Sequence, residues 1–278
     1  MADETNLKLL HQEFLNSLKS QRKASATILA YGKDIDQLVS FLMGLGRKEI
    51  KEVTREDLEG FTTKMAKNGY TPKSVSRKIN SIKTFYRFLK SNNHITVNPA
   101  SEIKHPKYEI KPPRVLSKME YRALRDACRK DIRTYAIVEL FLQTGLRIGE
   151  LAALTMNDLK DKELIVKDAN NGHVREVPIN KAAKLALDEY LKTRPQTEEP
   201  VLFVTKTGKP LLIRNIRTSI DRFFRLAGIT DAKINDLRHT FIAHHLAAGT
   251  PINVISKIVG HKRVSTTEKY LNLIKENP

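Results

Sequence analysis

Within the forty residues 234–273 the chain carries an arginine in L-R-H-T-F, a histidine in G-H and a tyrosine nine residues beyond that histidine: Arg238, His261 and Tyr270. A phenol is a nucleophile once it loses its proton, which at an ordinary pKa near ~10 requires help from its surroundings. A guanidinium is a planar fork that can hold two oxygens of one anion, and an imidazole supplies a single well-directed hydrogen bond. One at a time these residues have plainer readings: a solvated arginine, a satisfied polar histidine, a half-buried core tyrosine. Their joint spacing is what points to chemistry.

The local pattern suits such a site. Leu237, Phe241, His244, His245 and Leu246 recur at helical spacing up to Gly249, which can take the left-handed conformation that ends a helix. Thr250 and Pro251 restart one, with Ile252, Ile255, Ile258 and Val259 inward, and Gly260 stops it just before His261. A third short helix over 265–271 carries Tyr270. Upstream, an apolar helix over 132–142 leads into T-G-L-R-I-G-E-L, which holds Arg147 and Glu150. Leu164 to Lys167 and Val174 to Ile179 are short β-like runs flanking D-A-N-N-G-H, whose Asn171-Gly172 pair suits a tight hairpin turn. Helices are expected around 181–192 and 213–226, and a strand over Val201 to Val204.

The L-R-H-T-F, G-H and tyrosine series, together with T-G-L-R-I-G-E-L, resembles the signature of the tyrosine site-specific recombinases, the phage integrase family, and most of all its Xer-like members. S-x-T-x-x-x-Y-x-x-D around 25–34 and R-K-I-N-S-I-K-T-F-Y-R-F-L over 77–89, followed by N-P-A, resemble the family's core-binding domain, so the likeness covers nearly the whole chain. It implies a mainly α fold with a small antiparallel β-sheet, built as a two-domain, C-shaped DNA clamp. The implied activity is site-specific recombination through a 3′-phosphotyrosine, in chromosome dimer resolution or in integration and excision of a mobile element. The implied partner is double-stranded DNA, gripped by a tetramer on paired sites.

By the same resemblance Arg147 and Arg238 clamp the scissile phosphate, His261 hydrogen-bonds it, Tyr270 attacks, and Glu150 supports the site. Exchanging a phosphodiester for a phosphotyrosine retains the bond energy, so neither cofactor nor metal is expected. The sequence agrees, with no G-x-x-x-x-G-K-[ST] loop and no acidic cluster at metal-ligand spacing. Two positions depart from the family. Asn235 stands where histidine is usual, three residues before the second arginine, and Asn170 stands where the hairpin lysine that acts as general acid would align. Lys167, three residues earlier, is the substitute we expect. Asparagine can bond a phosphate oxygen but cannot take up a proton near neutral pH. On this ground a catalytically weakened DNA-binding relative stays open; a type IB topoisomerase, which uses the same nucleophile but swivels one strand, is a second alternative that the compact Xer-like amino-terminal half argues against.

Composition fits a polyanionic partner. The 278 residues have a formal charge of +18, with 18 basic against 11 acidic residues in 1–105 and 31 against 20 in 106–278. Charge spread over both halves suggests two surfaces that meet nucleic acid, although lysine-rich proteins of other kinds exist. Cys128 is the only cysteine, so no intramolecular disulfide can form. With an acidic M-A-D-E-T-N start and no apolar run of membrane length, a cytoplasmic protein without a membrane partner is expected.

Four helices are expected in the first half: 6–19, 26–43, one opened by a Thr54/Asp57 capping box and closed at Asn68-Gly69, and one begun by Thr71-Pro72. The last turns Val75, Ile79, Ile82, Tyr86 and Leu89 to one side, and Lys73, Arg77, Lys78, Lys83, Arg87 and Lys90 are assigned to the other as candidate phosphate contacts. Residues 106–116, with three prolines in or beside them, read as a linker between a DNA-binding domain over 1–105 and a catalytic domain over 117–278. No extra amino-terminal arm-binding domain is expected, which would favour simple sites.

Overall fold

The computed structural model describes residues 5–109, 111–168 and 172–276. The chain divides into two compact units, 1–110 and 111–278. Among the described residues, no helix is long and apolar enough to cross a membrane.

The first unit consists of α1 (Leu7–Ser20), α2 (Ser25–Gly44), α3 (Arg55–Lys67) and α4 (Pro72–Ser91), with a 3-10 turn at Ile50–Glu52. The starts are capped as the sequence suggests: Thr54 Oγ1 accepts from the Asp57 amide at 3.3 Å while Asp57 Oδ2 accepts from the Thr54 amide at 3.0 Å. Proline occupies the first turn of α4, where its missing N–H costs nothing. The helical periodicity then delivers Phe14, Leu38, Phe61, Ile82 and Phe85 to one core.

The second unit contains α5 (Lys118–Cys128), α6 (Ile132–Thr144), α7 (Ile148–Ala153), β1 (Glu163–Lys167), β2 (Val174–Pro178), α8 (Lys181–Thr193), α9 (Ile213–Leu226), α10 (Ile234–Ala247), α11 (Ile252–Val259) and α12 (Ser265–Glu276). Its core gathers around α6, whose Ala136, Ile137, Val138, Leu140 and Phe141 are buried almost completely. β1 and β2 pair antiparallel, with Val166 opposite Arg175 and Lys167 opposite Val174. The expected strand over Val201 to Val204 does not form. Only isolated bridges stand at its two ends, Thr155 with Val201 and Val204 with Pro210, because Leu202 and Phe203 are held between α8 and the following loop as core side chains rather than by a strand ladder. Helix α7 departs from the sequence expectation; its start is capped by Glu150, three residues in, which accepts from the Arg147 amide at 2.8 Å.

Candidate active site

The site is assembled where α10, α11, α12 and the start of α7 meet β2. Helix α11 ends at Gly260 in the left-handed conformation, φ +67° and ψ +48°, leaving its last carbonyls without helical partners. Three arginines supply them. Arg175 Nε donates to the Ile258 carbonyl at 2.8 Å, Arg238 Nη2 to that of Val259 at 2.6 Å, and Arg147 Nη2 to that of Gly260 at 2.9 Å. Arg238 Nη1 also donates to the Gly145 carbonyl at 2.6 Å, at the end of α6. The negative ends of two helices thus hold guanidinium groups that would otherwise repel one another.

Glu150 is the counter-charge. Buried to 6% exposure, its carboxylate accepts from Arg147 Nη1 at 2.7 Å and from both terminal nitrogens of Arg175 at 2.9 and 2.8 Å. Burial alone would push its carboxyl up, but the bonds from Arg175 and from the Arg147 amide outweigh it and hold it below the ordinary value. Three cations against one anion leave a surplus positive charge suited to a phosphate. Arg238 itself is brought down to about 10, first by burial and then by the charge of Arg147, so it stays protonated at neutral pH.

His261 follows Gly260 directly. Its Nδ1 is 2.8 Å from Thr267 Oγ1, which fixes the ring and leaves Nε2 without a partner among the described residues. Burial, then the charges of Arg238 and Arg147, hold its pKa down to about 4. An open depression of about 650 Å³, lined in part by Arg175, Gly260, His261 and Lys262, lies beside it. Tyr270 packs with Phe241, Ile242, Ile255 and Val259 and is 5% exposed. Its Oη lies 2.6 Å from His239 Nδ1. Burial pushes the phenol up, and the Arg238 charge pulls it back.

Arg147, Arg238, Glu150, His261 and Tyr270 are therefore brought together. Asn235 lies on α10 three residues before Arg238 and is exposed. Lys167 is not drawn in. Its side chain, 63% exposed, meets Asp158 Oδ1 at 3.1 Å, and strand alternation sets it on the hairpin face opposite Arg175. Asn170 lies outside the described residues. Two members of the cluster, Arg175 and His239, were missed by the sequence reading. His239 was visible in L-R-H-T-F as a titratable neighbour of Arg238, whereas Arg175 in V-R-E-V-P gave no more signal than any strand arginine.

In the first unit, Lys73 and Arg87 are exposed, and Lys83 is half-buried with Nζ donating to the Ser101 carbonyl at 3.2 Å. Lys78 corrects the expected open face. It is 5% exposed, and its ammonium donates to Asp34 Oδ1 at 2.9 Å and Gln37 Oε1 at 2.6 Å, over the Tyr70 ring. Arg77, half exposed, grips the same Asp34 with both terminal nitrogens, and Ser81 Oγ donates to it at 2.7 Å. A buried carboxylate must be paired, and these side chains pair it.

Residues 114–277 match the phage integrase family and residues 11–93 match the phage integrase N-terminal SAM-like domain. Tyrosine recombinase XerC of Roseiflexus sp. (strain RS-1) is 30% identical, with 94% of this chain and 88% of that protein covered. Among solved structures, XerA recombinase is 28% identical with a TM-score of 0.56, covering 97% of this chain and 98% of that one. A lambda integrase dimer bound to a COC′ core site shares the fold at 17% identity, TM-score 0.78, over 94% of this chain and 97% of that one. The chain belongs to the phage integrase family of tyrosine recombinases.

Proposed function

We propose that the chain cleaves and rejoins DNA at specific sites through a 3′-phosphotyrosine on Tyr270. The observation that carries this reading is the convergence, from four separate elements, of Arg147, Arg238, His261 and Tyr270 on one cluster with surplus positive charge. Tyr270 Oη attacks the phosphorus, the bond to the 5′-oxygen breaks, and the phosphoryl group passes to the tyrosine. Arg147 and Arg238 neutralise the charge that builds on the non-bridging oxygens, and His261 donates from Nε2. Glu150, itself paired with Arg175, holds Arg147 in place, the Gly145 and Val259 carbonyls hold Arg238, and Asn235 bonds the phosphate from the exposed side of α10. Lys167 supplies the proton to the leaving 5′-oxygen.

Residues 1–105 form a DNA-binding domain joined by the 106–116 linker to a catalytic domain over 117–278, and both engage one duplex. Their shared basic character supports this. A lambda integrase tetramer bound to a Holliday junction is among the similar folds, and it supports action as a tetramer on paired sites. The test is a pool of nicked duplexes with a randomised centre: the parent protein should yield a denaturation-resistant adduct, and Tyr270→Phe should bind DNA almost equally yet yield none. Adducts from the Phe variant would transfer the role to another tyrosine, and none from the parent would leave a DNA-binding protein.

A further inference from the structure

The contact between α10 and α12 that brings His239 Nδ1 within 2.6 Å of Tyr270 Oη is short for a hydrogen bond between neutral groups. Their rings stand 5.7 Å apart, tilted by 41°. Burial lowers the His239 pKa; Asp236 opposes this and Arg238 adds to it. Burial likewise keeps the phenol of Tyr270 protonated. A protonated phenol beside a neutral imidazole donates to its bare nitrogen, so Nδ1 accepts and the ring hydrogen sits on Nε2.

We propose that His239 is the general base that takes the proton of Tyr270 during strand cleavage. This rests on the strand-cleavage reading above. Two other polar groups of the cluster are unsuited: Asn235 cannot take up a proton, and the Nδ1 of His261 is engaged by Thr267. Among the described residues, the hydrogen-bond partner of the reacting oxygen is His239. The charged and titratable groups around it are Asp236 and Arg238 on its own helix, Tyr270 on α12, and His261 beyond α11.

As Tyr270 Oη bonds to phosphorus, its proton moves to Nδ1 and the ring becomes an imidazolium, favoured by Asp236. The phosphorus–5′-oxygen bond breaks, and the 5′-oxygen takes a proton from the separate donor assigned to Lys167. On rejoining, the 5′-hydroxyl attacks phosphorus and gives its proton to that donor, and the imidazolium returns the first proton to the phenol. Charge and protons balance over the cycle.

Single-turnover adduct formation on the nicked pool tests this with His239→Gln and His239→Ala, between pH 5 and 9, with and without free imidazole. Both variants should bind DNA as the parent does and cleave about 10²–10⁴-fold more slowly at neutral pH. Imidazole should restore the Ala variant, whose vacated space admits it. The Gln variant should keep gaining rate with pH where the parent has levelled off. Variants as fast as the parent, or faster, would mean that His239 only parks the tyrosine and would overturn the proposal. Slow variants with the parent's pH profile and no rescue would reduce His239 to a packing residue. A parent protein that forms no adduct at any pH overturns the strand-cleavage reading itself, a result distinct from failure of the variants alone.

Discussion

Arg175 fills the space that a side chain at Gly260 would need. A β-carbon at residue 260 would stand 3.0 Å from Arg175 Nη1 and 3.1 Å from its Cζ, at a φ of +67° that L side chains rarely adopt. The glycine thus serves twice, ending α11 and admitting the guanidinium that joins Glu150 to the Ile258 carbonyl.

Gly260→Ala should therefore cost about 1–2 kcal/mol of backbone strain and also displace Arg175. Since Arg147 and His261 are anchored to the same turn, we expect cleavage to fall by about a hundredfold, the scale of an ångström-sized misplacement. Thermal unfolding and single-turnover cleavage, measured side by side, separate the two effects. Cleavage that falls only with the folded fraction would show that the placement of Arg175 is not critical.

The cluster also makes the protein acid-sensitive in a defined window. His261 titrates at about 4 in the folded chain against 6.5 ordinarily, so between these values the unfolded chain binds a proton that the folded chain refuses. Stability falls as pH drops through that range. Glu150, held below its ordinary 4.5, acts in the same sense further down: its stabilisation is complete above 4.5 and is lost as pH falls through the lower folded value. The unfolding temperature of the DNA-free protein should decline from pH 7 to 5, and His261→Gln should make that decline shallower. The flattening is partial, because burial lowers His11, His239, His244 and His245 as well. A variant curve parallel to the parent's would place the sensitivity in those other histidines.

The basic residues of α4 divide into two kinds with different signatures. Lys73→Ala and Arg87→Ala, at exposed positions, should leave stability unchanged and each lower the slope of log affinity against log salt by about 0.9. Lys78→Ala should leave that slope alone and cost about 3 kcal/mol, because it strips a buried carboxylate of one of its partners. Salt titrations and chemical denaturation of the three variants decide this. A Lys78 variant that keeps its stability but loses slope would return the residue to the DNA-facing group.

Lys78 shows what sequence could and could not reveal. Helix starts, the hairpin and the apolar faces of α1 to α4 follow from capping residues and periodicity, which act within a few residues. Lys78 lies three residues after Val75 and four before Ile82, on the core side of α4 by helical geometry, but its charge argued for solvent. Only the burial of Asp34, forty-four positions away, reverses that expectation. The same holds for Arg175: its role depends on β2 lying against the end of α11, a tertiary relation that no local pattern encodes. The core segment Val201 to Val204 resembled a strand because burial of Leu202 and Phe203 imposes the same apolar run as a sheet would. Arg238, His261 and Tyr270 could be singled out because their spacing in the chain is itself a signal, and Arg147 because T-G-L-R-I-G-E-L resembles a family motif.

The leaving 5′-oxygen must also gain a proton, and Lys167 is its donor. Lys167 ends β1, and its ammonium now meets Asp158 at 3.1 Å. Asp158 has other partners, the amide and hydroxyl of Thr155 at 2.9 and 2.6 Å, so it can release the lysine without being left unpaired. Four methylenes give the side chain the reach to cross from the outer face of the hairpin when a phosphate competes for it. A substrate whose bridging 5′-oxygen is replaced by sulphur isolates the step, because a thiolate leaves without protonation and an alkoxide does not. Lys167→Ala should cleave ordinary DNA about 10²–10⁴-fold more slowly and the sulphur substrate at nearly the parent's rate. Equal impairment on both substrates would make Lys167 a DNA-positioning residue, and no impairment on either would assign the proton to another donor.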